Sequence, residues 1–169
     1  MTQEVLHAEI IKRSVQKEWY QARQEWTLFY IWDNDSGQVC LCTHNPIHEI
    51  CVIQNKFTGQ KIEVGNCCVN NFLGLPSEGM FASYRRVRSN LSKSINNSLL
   101  YLLKEQRIIT DWEYRFYQDT WRKRKMSFRQ AEKRREINSK VLRALQRRQA
   151  DDTATKTKHA LECRVQHGT

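Results

Sequence analysis

Six cysteines stand at positions 40, 42, 51, 67, 68 and 163, and five of them fall within 29 residues. In a chain whose thiols stay reduced, such a cluster reads as a metal site before it reads as a disulfide framework. The reason is geometric, because zinc takes four soft or borderline donors at the corners of a tetrahedron. Cys40-x-Cys42 offers two thiols from one tight turn, a zinc knuckle with one intervening residue where two are commoner. Cys67 and Cys68 follow Gly65-Asn66, where a helix is predicted to start and its positive end favours thiolate. The expected ligands are Cys40, Cys42 and Cys68. The fourth position is open between Cys67 and His44, with Cys51 a weaker choice. Cys51 lies between Ile50 and Val52 and reads equally well as a small core residue. Cys163 reads as a free thiol. The competing reading is a group of buried thiols without metal.

These donors need elements to hold them. Glu25–Trp32 is aromatic and β-branched and predicts a strand, ended by the turn residues Asp33-Asn34-Asp35-Ser36-Gly37. Ile47–Gln54 and Lys61–Val64 predict two more strands around Asn55-Lys56-Phe57-Thr58-Gly59, a hairpin. Asn66 would cap a short helix to Leu73, stopped by Gly74 and Pro76. Knuckle, hairpin and helix together describe a treble clef. The predicted fold class is therefore α+β: a small treble-clef-like zinc β-hairpin module with an N-terminal helix and a basic helical segment behind it.

The flanks are helical in pattern. Val5, Leu6, Ile10, Val15, Trp19 and Ala22 form one apolar stripe over 3–23. Val87, Leu91, Ile95, Leu99, Leu102 and Leu103 do the same from Ser77 or Ser83 to about Gln106. Thr110-x-x-Glu113 and Ser127-x-x-Gln130 are capping-box patterns opening two further helices, the second to about Gln149. Residues 151–169 lack apolar periodicity and predict a disordered tail. The expected organisation is 1–76, 77–150 and 151–169.

Several residues carry a resemblance. Cys40-Leu41-Cys42, Pro46-Ile47-His48-Glu49-Ile50-Cys51, Thr58-Gly59 and Val64-Gly65-Asn66-Cys67-Cys68-Val69-Asn70-Asn71-Phe72-Leu73 resemble small zinc-finger-like proteins of bacteriophages and bacterial mobile elements. Asp111-Trp112-Glu113-Tyr114 and Ser127-Phe128-Arg129-Gln130 extend the likeness, so that it spans about residues 18–145. The resemblance implies zinc and a phage-like origin in a bacterial host cell, and it supplies no activity. In that group a Gly often follows the second knuckle Cys, where this chain has Thr43. The position of Cys67 is often not Cys, which ranks Cys68 above it.

Charge divides the 169 residues sharply. Residues 1–83 hold 6 Lys and Arg against 9 Asp and Glu, whereas residues 84–169 hold 22 against 9. The whole net charge of +10 thus belongs to the second half. Such asymmetry points to a polyanion, with DNA or RNA the expected partner. The candidate phosphate contacts are Arg122, Lys123, Arg124, Lys125, Arg129, Lys133, Arg134, Lys140 and Arg143. A solvated charged face is the plainer alternative. Trp112, Tyr114, Phe116, Tyr117 and Trp121 fit a core better than a base-stacking platform.

Catalysis is not expected. A treble-clef nuclease needs a metal-binding His on the helix after the hairpin, and Asn66–Leu73 has none. Walker A, Gly-x-Ser-x-Gly and His-Glu-x-x-His motifs are absent from the sequence. The expectation is a zinc-binding, nucleic-acid-binding accessory protein. Its rival is an inhibitor or modulator that docks on a host protein. Met1–Gln24 has no uninterrupted apolar run, which predicts a cytoplasmic protein.

Overall fold

The computed structural model describes residues 2–74 and 77–166. Its elements run α1 (Thr2–Arg13), α2 (Trp19–Gln24), β1 (Trp26–Gln38), β2 (Ile47–Asn55), β3 (Lys61–Gly65), α3 (Asn66–Leu73), α4 (Ser77–Ser89), α5 (Asn97–Glu105), α6 (Asp111–Thr120) and α7 (Phe128–Gln166). The architecture is α+β, with seven helices and one antiparallel sheet of order β1-β2-β3 among the described residues. The predicted hairpin is β2–β3, with Cys51 opposite Val64 and Ile53 opposite Ile62. Its turn is held by Asn55, whose Oδ1 accepts from the N–H groups of Phe57 and Thr58. Gly59 takes the left-handed conformation that closes it (φ +71°). No described helix is long and apolar enough to cross a membrane.

The single N-terminal helix expected over 3–23 is two helices. Apolar periodicity continues through the break, but hydrogen bonding does not. Ser14 turns its hydroxyl back to Ile10 O (2.8 Å) and accepts the Trp26 indole N–H (2.8 Å). The buried Glu25 carboxylate takes the freed Val15 and Gln16 N–H groups at 2.9 and 2.7 Å, and the Asn55 amide at 2.6 Å. The helix expected from 77 to 106 is likewise α4 and α5, because Asn96 caps the second through Leu99 N–H.

Three further expectations change. β1 runs on to Gln38, with Asp33 opposite Glu49 and Gln38 opposite Ile47, while the predicted turn residues Asn34–Gly37 bulge out of register, Asn34 Oδ1 accepting from Ser36 N–H and Gly37 taking φ +71°. Arg85 donates to Asp33 and Glu49 and Arg88 lies 3.4 Å from Asp33, which keeps these acidic residues on the sheet. Gly65, not Asn66, is the N-cap of α3; the Asn66 amide donates to Glu49 instead. The segment from 151 to 166 is not disordered but continues α7, and Asp152 accepts from Tyr30 OH (2.8 Å) and Lys61 (2.6 Å). Residues 167–169 of the predicted tail lie outside the described residues.

Both capping boxes form as predicted, at Thr110/Glu113 and Ser127/Gln130. The division at residue 76 does not separate two cores. One buried cluster joins Ile31, Ile50 and Ile53 of the sheet to Phe81, Leu100, Leu103, Val141 and Leu145. Helices α4, α5 and α7 all pack on β1.

Candidate metal centre and cationic face

The knuckle lies between β1 and β2. Thr43 N–H donates to Cys40 O (2.8 Å) and Cys40 N–H to His44 O (2.9 Å), so the chain reverses within five residues. Thr43 takes φ +72°, the left-handed region that an L side chain adopts at a cost. This is the position where the resembling proteins often place Gly. Gly65 then allows close approach of the strand end. A Cβ there would meet Ile47 Cγ2 at 3.1 Å, and its N–H points at Cys40 Sγ (3.2 Å).

The result is a buried cluster of Cys40, Cys42 and Cys68, all three sulfurs within 4.8 Å of one another. Cys68 Sγ is 3.5 Å from Cys40 Sγ and 3.3 Å from Cys42 Sγ. Zn–S bonds of about 2.3 Å at tetrahedral angles put sulfurs about 3.8 Å apart, so a shift of a few tenths of an ångström seats the ion. The Cys68 thiol beside it holds Cys40 low, at about 5, against the opposing pull of burial; the Cys42 and Gly65 N–H groups add to this. The same proximity drives the Cys68 thiol up, with burial adding to it. The Cys40 thiolate is thus favoured, and the Cys68 thiolate is opposed unless a cation lies between them. The donor set fits a metal such as zinc.

Cys67 is exposed and lies outside the three-cysteine cluster, and so does His44. Adjacent helical residues leave the axis about 100° apart, so the two thiols of α3 point in different directions. Cys51 is buried mid-strand in the core, where burial pushes its thiol up. The side chain of Cys163 is outside the described residues. A cavity of about 560 Å³ opens over the cluster, and both His44 and Cys67 line it. His44 shares the knuckle turn.

The cationic face is built by α6, α7 and the loop 90–96. Ser94 Oγ donates to Trp121 O (3.2 Å), Asn138 donates to Leu91 O and Lys93 O (2.7 and 2.8 Å), and Arg135 donates to Ser92 Oγ (3.2 Å). Arg86 joins through Ser94 O (2.7 Å). Among the described residues, Arg86, Lys93, Arg122, Lys123, Arg124, Lys125, Arg129, Arg135 and Arg143 form no ion pair. Lys133 and Lys140 do, with Glu136 (2.8 Å) and Glu113 (2.7 Å).

Arg134 is a correction. It is only 4% exposed, donates to Thr120 O (2.5 Å) and lies over the Tyr117 ring, so it braces α6 against α7 and is not an exposed cation. Arg86 and Lys93 were outside the predicted set, since nothing in their local sequence places them beside Trp121. The aromatics also divide: Tyr117 is buried as expected, whereas Trp112 is 57% exposed.

Comparison with family models, curated proteins and solved structures finds no match to this chain. The chain is therefore defined by its own geometry: an α+β protein with a buried three-cysteine cluster that suits a metal.

Proposed function

We propose that this chain is a zinc-stabilised accessory protein, without catalytic role, that binds nucleic acid. The phosphates lie on the face formed by the α6–α7 turn, α7 and the loop 90–96. The observation that carries the reading is the distribution of ion pairs. Arg122–Lys125 stand together without a carboxylate partner among the described residues, as do Arg86, Lys93 and Arg135 across the loop, although Lys133 and Lys140 on α7 are paired. Unmatched cations repel one another, and a polyanion relieves that repulsion while releasing its counterions. Zinc is a scaffold in this reading. Bound by Cys40, Cys42 and Cys68, with His44 or Cys67 from the cavity wall as a fourth donor, it ties the β1–β2 knuckle to the start of α3. The likeness to proteins of bacteriophages and mobile elements suits a small basic accessory factor.

The test is fluorescence anisotropy of the zinc-loaded chain with a labelled oligonucleotide. Neutralising about six phosphates predicts a loss of about 10³ in affinity between about 50 and about 200 mM salt. Absence of binding at the lower salt overturns the reading, and it turns attention to an acidic protein surface as the partner.

A further inference from the structure

The predicted core role of the α6 aromatics fails at Trp112. Its ring is 57% exposed, although α6 has its own buried side, with Tyr117 fully enclosed. Trp112 stacks on Phe116, with ring centroids 5.5 Å apart and planes 18° from parallel. Lys133 Nζ from α7 stands 5.7 Å from the Trp112 ring centroid. Phe116 and the Lys133 ammonium thus cover part of the Trp112 ring, and the remainder is open to solvent beside a cation.

The charges near it are mainly cationic, with the exposed Asp119 carboxylate two turns further along α6. The two carboxylates that adjoin Trp112 in sequence are matched, Asp111 by Lys104 (3.6 Å) and Glu113 by Lys140 (2.7 Å). Arg115 on the same helix and Arg129 on α7 are exposed and form no ion pair among the described residues.

From this arrangement we infer that the α6–α7 face takes single-stranded rather than duplex nucleic acid, with an unpaired base stacked on Trp112 and the backbone phosphates held by Arg115 and Arg129. This rests on the nucleic-acid reading above and adds the substrate class. An exposed ring beside cations is what binding without sequence preference requires, since every base offers a π-face. In a duplex the bases are already stacked on each other, and the ring has nothing to receive.

The full zinc-loaded chain is tested against labelled oligo(dT), oligo(rU) and a mixed-sequence duplex of equal length. Trp112→Ala is expected to weaken both single strands about tenfold and to leave the duplex unchanged. Trp112→Phe, which keeps a stacking face, restores most of the loss. The ring is more exposed than buried, so thermal unfolding of both variants should match that of the parent. Single-strand affinity that survives Trp112→Ala overturns the inference, as does a parent protein that prefers duplex. Failure of the parent to bind any of the three probes instead overturns the nucleic-acid reading itself.

Discussion

Cys40 and Cys68 approach to 3.5 Å between sulfurs although 28 positions separate them in the chain. The knuckle between β1 and β2 and the first turn of α3 supply them, so an ion between them closes the whole hairpin into a loop. The purified chain is therefore expected to carry one zinc. Cys40→Ser or Cys68→Ser should abolish stoichiometric metal and lower Tm by about 10 °C or more, and a strong chelator should do the same to the parent. Cys67→Ser should retain one zinc per chain by elemental analysis. His44→Ala should weaken the metal without removing it.

Thr43 pays for the tightness of that knuckle with its left-handed backbone (φ +72°). Thr43→Gly removes the clash between Cβ and the backbone and should stabilise the zinc-loaded protein by about 1 kcal/mol, read as a higher urea midpoint. A fall in the midpoint would show that the Thr43 side chain contributes more than its strain costs.

Glu25 sets the acid limit of the N-terminal half. Burial pushes its carboxyl up, but hydrogen bonds from Gln16 N–H, the Asn55 amide and Val15 N–H, with Lys17 nearby, bring it below the ordinary value. A folded value lower than the unfolded one gives stability that is complete above the ordinary carboxylate value of about 4.3. That stability disappears as pH falls through the depressed folded value. Glu25→Ala should cost about 3 kcal/mol at neutral pH, and the gap to the parent should narrow steadily in acid denaturation series.

The cationic turn is separable from the fold. Arg122, Lys123, Arg124 and Lys125 are not buried, so replacing all four by Gln should leave the unfolding curve nearly unchanged. The slope of log affinity against log salt should fall by about 0.7–0.9 for each phosphate that the variant no longer neutralises. Arg134→Gln is the contrasting case. It should destabilise the α6–α7 pair by about 2 kcal/mol and change the salt slope little. Equal slopes for the parent and the four-Gln variant would place the phosphates elsewhere.

Much of the layout was legible because it depends on local chemistry. Thr110 and Ser127 announce α6 and α7 by capping boxes that form within four residues. Asn55 to Gly59 specifies a hairpin turn through its own side chain and one left-handed Gly. Cys40 and Cys42 sit in a turn that closes on itself. Where helices were predicted too long, at Ser14 and at Asn90–Asn96, the apolar stripe continues through the break. At Ser14 the distant partners Glu25 and Trp26 show that the hydrogen bonds have left the helix, whereas at 90–96 the local Asn96 cap on Leu99 N–H does so together with distant Asn138.

By itself, then, the amino-acid sequence determined the class of elements, the hairpin, two helix starts, the basic second half and the cysteine types suited to zinc. The tertiary structure decided which of the neighbouring cysteines faces the ion, because a rotation of about 100° per residue sends Cys68 inward and Cys67 out. It decided that Arg134 is a buried brace while Arg86 and Lys93 join the cationic face. It also turned the polar segment after residue 150 into a helix, since Asp152 finds Tyr30 and Lys61 on the sheet. In each case a residue's role depends on which way its side chain points and on partners tens of positions away, and neither quantity is carried by local composition.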